Sequence, residues 1–192
     1  MKFFPNLKIG FWNAWIPMLY FPLHPLIMIV IDKIVGTGDM IKKMSDVPYR
    51  KGEKSLFIAS LIIILLMIVY AVFLPLKFNS VWFYVGCLIY MIGMLLFLIA
   101  VVNIATTPLG KPFTKGLYRF SRHPMVLAEL TTFLGVGFAA ASLLFIILTV
   151  ILFFMENILL AAEERGCLER FGSDYQDYQE KTSRWVGLSK MR

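Results

Sequence analysis

Four long stretches of the 192-residue chain contain no charged side chain: residues 9–31, 55–76, 78–110 and 130–155. Each is at least as long as the roughly 20 residues that cross a bilayer as a helix. The pattern therefore predicts an all-α integral membrane protein. At this length there is no room for a separate soluble catalytic domain, so we expect a single membrane domain over residues 1–192.

We expect about five membrane spans, at residues 11–31, 55–76, 81–105, 125–139 and 142–162. Residues 125–162 are too many for one crossing and suffice for a tight C-terminal helical hairpin. Gly135, Gly137 and the small residues 139–142 mark its expected bend. The fourth span, in the first arm of the hairpin, is therefore expected to be short.

The first span contains three prolines, so we expect it to be kinked or partly irregular. His24 lies between Pro22 and Pro25. A histidine in this position is expected to bond a freed backbone carbonyl rather than a ligand.

The tail, residues 163–192, is polar. Within it Leu168, Phe171, Tyr175 and Tyr178 recur at the spacing of an amphipathic helix, although Gly172 can interrupt it. We expect this helix to lie on the lipid head groups and to roof a site.

The charges give the orientation. The net charge is +7, but the basic residues flank apolar spans, which favours lipid head groups as their partner over nucleic acid. Of the 19 Lys and Arg residues, 16 fall on the side of the large loops and the tail. The asymmetry predicts a multi-pass protein with its N-terminus outside and its C-terminus cytoplasmic. Cys87 and Cys167 lack the spacing and the histidines of a zinc site, so we expect no metal.

Two polar clusters lie where the spans meet the cytoplasm. Arg122-His123-Pro124 begins the fourth span, and Glu163-Glu164 ends the fifth. In a hairpin these ends are neighbours, so the histidine and the carboxylates should converge, next to a proline-started helix whose free amides can bind an anion. The alternative is that Arg119 and Arg122 anchor the protein and pair with the glutamates as surface salt bridges.

Two further carboxylates lie deeper in the spans. Glu129 and Glu156 need partners there, because an unpaired carboxylate is costly within the bilayer. They could share protons or hydrogen bonds with His123 and Asn157, or they could line a cavity.

These polar residues form a two-part pattern that resembles the isoprenylcysteine carboxyl methyltransferase family and its phospholipid N-methyltransferase relatives. The likeness covers roughly residues 103–185. The residues that carry it are Gly116-Leu-Tyr118, Arg122-His123-Pro124, Glu163-Glu164, Leu168, Phe171-Gly172, Tyr175 and Tyr178.

The resemblance implies a cytoplasmic site for S-adenosylmethionine and a lipophilic methyl acceptor, most simply a prenylcysteine at the end of a prenylated protein. It implies catalysis by alignment and desolvation, with Arg122 and Glu164 as candidates for a catalytic contribution. The residues implied to contact the cofactor are Asn103, Lys111, Pro112, Phe113, Tyr118, His123, Pro124, Met125, Val126 and Glu163.

The chain also departs from that family. Val126 stands where a tyrosine is common and Ala128 where a glycine is usual. The arginine associated with the lipid head is absent, since Leu159 and Ala161 occupy its plausible positions. The sequence therefore supports the cofactor better than the acceptor.

Three alternatives remain open. One is a phospholipid or amine N-methyltransferase, in which a proton must leave the acceptor. Another is an NADPH-dependent membrane sterol or lipid reductase, since Ser121 to Pro124 matches a stretch found there. The third is a scaffold or small transporter, although the polar residues gather at one rim and form no path across the spans.

Overall fold

The computed structural model describes residues 1, 3, 5–43 and 47–187. Lys2, Lys190 and Arg192, which count toward the predicted charge asymmetry, lie outside them. The helices of the described part are α1 (Trp15–Met18), α2 (Tyr20–Val35), α3 (Met40–Lys43), α4 (Lys51–Phe73), α5 (Val81–Ala105), a 3₁₀ turn (Gly116–Arg119), α6 (Pro124–Ala139), α7 (Leu143–Phe171) and α8 (Ser173–Lys181).

The predicted all-α membrane fold is confirmed. Within the described residues, four helical stretches are long and apolar enough to cross a membrane: Trp15–Val35, α4, α5 and α7. Helix α6 is apolar but has only 16 residues, which span about 24 Å at the helical rise per residue. The fourth predicted span is therefore short, as its sequence indicated.

The first span is interrupted, as its prolines predicted. Helix α1 ends at Met18 and α2 begins at Tyr20, with Pro25 inside α2. The Nδ1 atom of His24 lies 2.5 Å from the carbonyl oxygen of Phe21. His24 therefore bonds the backbone, as expected.

Several predicted boundaries were wrong because the helix ends do not coincide with the ends of the apolar stretches. Helix α2 runs to Val35 and includes Asp32, which lies just beyond the predicted end of the first span at residue 31. Helix α4 begins at Lys51 and ends at Phe73, each a few residues earlier than predicted. Helix α7 runs nine residues past the predicted end of the fifth span, to Phe171. The acidic pair therefore lies within a helix that projects beyond the apolar bundle.

Helices α5 and α6 pack most extensively, because glycines bring their backbones together. A Cβ at Gly93 would stand 2.5 Å from Oγ1 of Thr132, and one at Gly135 would stand 2.5 Å from the backbone nitrogen of Tyr90. Gly86 likewise faces the backbone of Ala139. Small residues at a helix contact allow this close approach within a membrane.

The hairpin bend lies closer to the C-terminus than two of the residues predicted to form it. Gly135 and Gly137 are inside α6, so their assignment to the bend was wrong; they are packing residues. The turn is formed by residues 140–142, where Ala141 has a φ of 51° and Ser142 caps α7 by accepting a hydrogen bond from the amide of Phe145.

The bundle places α6 between α5 and α7, with α2 against α5 and α4 against α7. One buried cluster fills the middle of the bundle around Phe133, Phe145 and Met67. A second lies toward the rim and joins α5 and α6 to Tyr175 and Tyr178 of α8. The second cluster fixes α8 over the ends of the membrane helices.

We predict that Gly135→Ala destabilises the protein. The added methyl group meets the backbone of Tyr90, which cannot move without separating α5 from α6, so we expect the free energy of unfolding to fall by about 1–3 kcal/mol. Thermal unfolding in detergent measures this. Gly52→Ala is the control, because nothing lies within 4 Å of its Cβ position in α4; equal melting temperatures for the two variants would contradict the prediction.

Candidate functional site

The two polar clusters meet at one rim of the bundle. His123 precedes Pro124, the first residue of α6, and the acidic pair lies on α7. The Nε2 atom of His123 is 3.2 Å from Oε1 of Glu164, and its Nδ1 atom is 3.4 Å from Oε2 of Glu163. The histidine is buried between the two carboxylates. The helical hairpin thus produces the convergence that the sequence predicted.

Glu164 is the centre of a buried charge network. Oε1 accepts hydrogen bonds from Nε and Nη2 of Arg122 at 3.0 and 2.8 Å. Arg184 donates from Nε to Oε1 at 3.0 Å and from Nη2 to Oε2 at 2.6 Å. Gln179 adds a bond to Oε2 at 3.3 Å. Both oxygens are therefore occupied by protein donors, which gives Glu164 a structural role.

The alternative of surface salt bridges at this rim was wrong. The side chains of Arg122 and Glu164 are only 10% and 5% exposed, so their pair is buried. Arg119 is exposed and takes no part in the network. Breaking a buried pair leaves an uncompensated charge, whereas losing a surface pair has little effect.

Glu163 differs from its neighbour. Its side chain is 40% exposed, and within the described chain its carboxylate pairs only with His123. The two adjacent carboxylates therefore have different surroundings: Glu164 is held by the protein, and Glu163 faces open space where a ligand can reach it.

The electrostatics of His123 follow from this position. Burial alone would lower the pKa of its imidazole, but the hydrogen bonds to Glu163 and Glu164 outweigh burial and raise that pKa above its ordinary value. The imidazole, which lies between the two carboxylates, therefore favours its protonated form.

Glu163 and His123 border a cavity of about 640 Å³, within the range of about 300–1,000 Å³ typical of small-molecule sites. It opens at the rim of the bundle beneath α8. Its lining residues are Lys43, Val47, Pro48, Ile104, Pro112, Phe113, Tyr118, Arg122, His123, Met125, Val126, Glu163, Gly166, Cys167, Glu169, Arg170, Phe171, Tyr175 and Tyr178.

Most of the sequence-predicted contact residues border this cavity. Those that do are Pro112, Phe113, Tyr118, His123, Met125, Val126 and Glu163. Asn103, Lys111 and Pro124 do not line it. The cavity thus brings together the Arg-His-Pro motif and part of the loop that precedes it. Three of the predicted contact residues lie outside the cavity.

The three outlying residues have other surroundings. Asn103 accepts a hydrogen bond from the amide of Leu117 at 2.9 Å through Oδ1 and so holds the 3₁₀ turn. Lys111 is exposed and lies 3.7 Å from Asp174, at a separate surface depression. Pro124 is buried at the first turn of α6.

Helix α8 forms the roof of the cavity. The chain turns at Gly172, whose φ of +55° favours glycine, and α8 then runs back over the rim. The hydroxyl of Tyr178 donates to the carbonyl of Tyr118 at 2.6 Å. Burial raises the pKa of Tyr175 and Tyr178, so both phenols are neutral and can donate hydrogen bonds.

No motif in the sequence marks the wall that Lys43, Val47 and Pro48 contribute to the cavity. Lys43 is buried and donates from Nζ to the carbonyls of Ile104 and Ala105 at 3.1 and 2.8 Å, which caps the C-terminus of α5. Val47 and Pro48 complete this wall. Only the contact with α5 reveals the position of this wall.

Glu129 and Glu156 have neither of the partners suggested for them. His123 pairs with Glu163 and Glu164, and the Oδ1 atom of Asn157 accepts a hydrogen bond from Nε1 of Trp185 at 3.0 Å. Neither deep carboxylate has a hydrogen bond within the described residues. Glu156 lies within electrostatic range of Glu129 and of His123.

The fold and the cavity define an all-helical integral membrane protein with a ligand-sized polar site at one rim. Residues 81–174, just under half of the chain, match the model of the phospholipid methyltransferase family, which is consistent with the membrane methyltransferases related to phospholipid N-methyltransferases. The family resemblance of the sequence is thereby confirmed, and S-adenosylmethionine is the methyl donor that the family implies. Searches of curated proteins and of solved structures find no significant match.

We predict that Glu164→Gln and Glu163→Gln differ sharply in stability. Neutralising Glu164 leaves the nearly buried Arg122 and the partly buried Arg184 without their counter-charge, so the free energy of unfolding should fall by about 3–5 kcal/mol. Glu163 is half-exposed and its loss should cost less than about 1 kcal/mol. Thermal unfolding of both variants in detergent tests this, and similar melting temperatures would refute the division of roles.

Proposed function

We propose that this protein transfers a methyl group from S-adenosylmethionine to a lipophilic acceptor at the membrane surface. The observation that carries the proposal is the rim cavity, which is bordered by the accessible carboxylate of Glu163, by the buried His123 and by a wall of aromatic side chains. The match to a methyltransferase family over the same helices supports it.

The cavity fits the methyl donor in size and chemistry. S-adenosylmethionine supplies an electrophilic methyl group on a sulfonium cation. Phe113, Tyr118, Tyr175 and Tyr178 offer ring faces for the adenine and the cation. Glu163 is placed to accept hydrogen bonds from ribose hydroxyls or an ammonium group, because its carboxylate is the one that the protein leaves accessible.

The acceptor is proposed to be lipophilic because the cavity lies directly above the apolar bundle. Met125 and Val126, on the first turn of α6, border it on that side. A lipid that stays in the bilayer can present its polar head there, while the water-soluble donor enters from the polar side. The basic loops on the same rim support a cytoplasmic site and an N-terminus outside.

The chemical class of the acceptor depends on the charges that face it. A prenylcysteine carboxylate, implied by the sequence resemblance, needs a cation as it leaves water. Arg122 is engaged by Glu164, and Lys43 by two carbonyls of α5. Arg170, the remaining basic residue of the lining, is exposed and lies over the ring of Phe171.

Carboxyl groups, in contrast, lie on the helices beneath the rim, at Glu129 of α6 and Glu156 of α7. Glu129 has no cationic partner in the described chain, and Glu156 has the imidazole of His123 and the carboxylate of Glu163 within electrostatic range. This charge pattern favours an amine acceptor, such as the head group of an aminophospholipid, over a carboxylate. We therefore propose a lipid amine as the better-supported acceptor and retain the prenylcysteine as the alternative.

Methylation of an amine requires that an ammonium proton leaves first. The nitrogen lone pair then forms the N–CH₃ bond, the S–CH₃ bond breaks, and its electron pair stays on sulfur. Glu156 is the proposed proton acceptor, and the proton passes to water through Glu163 and His123 at the rim. A carboxylate acceptor is already ionised near neutral pH and needs no base.

We predict that Glu163→Gln weakens the binding of S-adenosylmethionine by about tenfold, as expected for the loss of one charge-assisted hydrogen bond. Isothermal titration calorimetry of the detergent-solubilised protein measures the affinity. Glu180→Gln is the matched control, because Glu180 is exposed on α8 and does not border the cavity. An unchanged affinity in Glu163→Gln removes Glu163 from the site.

A second experiment separates the acceptor classes. The purified protein receives methyl-labelled S-adenosylmethionine with either phosphatidylethanolamine vesicles or farnesylcysteine. We expect label in the phospholipid, a rate that falls as the pH is lowered, and a loss of at least about tenfold in kcat for Glu156→Gln. Label in farnesylcysteine alone, at a rate insensitive to Glu156→Gln, contradicts the amine proposal and supports the carboxylate.

A further inference from the structure

Residues 182–187, which follow α8, form a strap that returns to the start of α6. The carbonyl of Ser183 accepts a hydrogen bond from the amide of Arg122 at 3.0 Å, and the amide of Gly187 donates to the carbonyl of Phe120 at 2.9 Å. The hydroxyl of Ser121 donates to the carbonyl of Arg184 at 3.0 Å. The strap is thus bonded along the loop that presents His123.

Two side chains of the strap reach α7. Arg184 donates from Nε and Nη2 to the two oxygens of the Glu164 carboxylate, and from Nη1 to the carbonyl of Asn157 at 3.3 Å. Trp185 donates to the side chain of Asn157, and its ring lies 4.8 Å from that of Phe153. The strap therefore clamps the start of α6 to α7 at the acidic pair and on its N-terminal side.

We propose that Arg184 is a positioning residue for the methyltransferase site, which acts on His123 through Glu164. It touches neither the cavity nor any group proposed to contact the methyl donor directly. It also lies outside the segment that matches the family. Its function is to fix the carboxylate that holds the imidazole.

The geometry at Glu164 supports this function. Its Oε1 atom receives the Nε2 side of His123, two donors of Arg122 and one of Arg184, and its Oε2 atom receives the other donor of Arg184. Without Arg184 the carboxylate can rotate, and its negative charge is balanced by one arginine instead of two. Both changes alter the orientation and the protonation of His123.

The charged groups that face His123 set the direction of the effect. Glu156, Glu163 and Glu164 face it from α7, Arg122 precedes it in the chain, and Arg184 reaches it from the strap through Glu164. Removing one cation from this set favours the imidazolium form. A more strongly protonated His123 also disfavours a sulfonium ligand beside it.

The test uses the histidine itself as a probe, since the chain has only two histidines. NMR titration of the ligand-free protein in detergent, with His24→Gln to assign the signals, gives the pKa of His123. We expect Arg184→Gln to raise that pKa by about 1 and to weaken S-adenosylmethionine binding by about tenfold. Arg184→Lys keeps the positive charge, so the pKa of His123 should return most of the way to its wild-type value.

Arg119→Gln is the matched control, because it removes the same charge from an exposed position in the 3₁₀ turn; both readouts should stay at the wild-type values. Wild-type titration and affinity in Arg184→Gln would overturn the proposal. If that variant does not fold, Trp185→Phe decides, since it removes the bond to Asn157 and part of the ring that packs on Phe153, and keeps Arg184. A smaller shift in the same direction then supports the proposal, and no shift refutes it.

The inference rests on the proposed function only for the affinity measurement. The histidine titration needs no ligand. Failure of the wild-type protein to bind S-adenosylmethionine would therefore count against the proposed function, while an unshifted His123 pKa in Arg184→Gln would count against the role of the strap.

Discussion

The site depends on one buried carboxylate, that of Glu164. A charge at this depth is tolerated only when donors surround it, and the donors come from three separate parts of the chain. Arg122 and His123 precede α6, Gln179 belongs to α8, and Arg184 lies in the strap. Satisfying this single anion therefore assembles the hairpin, the roof and the tail at the same rim.

This arrangement explains how two adjacent glutamates serve different purposes. Successive residues of a helix point about 100° apart, so Glu164 faces the buried network while Glu163 faces the cavity. Because the protein neutralises the first, the second remains available to a ligand. His123 lies between them and connects the structural network to the cavity.

The apolar bundle contributes position rather than chemistry. Glycines let α5 and α6 pack at backbone contact, and the shortness of α6 sets the level at which His123 emerges beside α7. Helix α7 continues past the apolar region and carries the acidic pair into the polar zone. The cavity consequently lies where a bilayer lipid and a water-soluble methyl donor can meet.

The sequence by itself determined the membrane class, the number and order of the apolar helices and the meeting of Arg-His-Pro with the acidic pair, because hydropathy and helical hairpin geometry are local properties. It also indicated the interruption near the prolines and the break at Gly172. Only the tertiary structure decided which glutamate is buried, that Lys43 closes the wall at the end of α5, and that Arg184 completes the network. Those outcomes depend on contacts between residues far apart in the chain, and burial, which decides what a charge can do, exists only once the helices have packed.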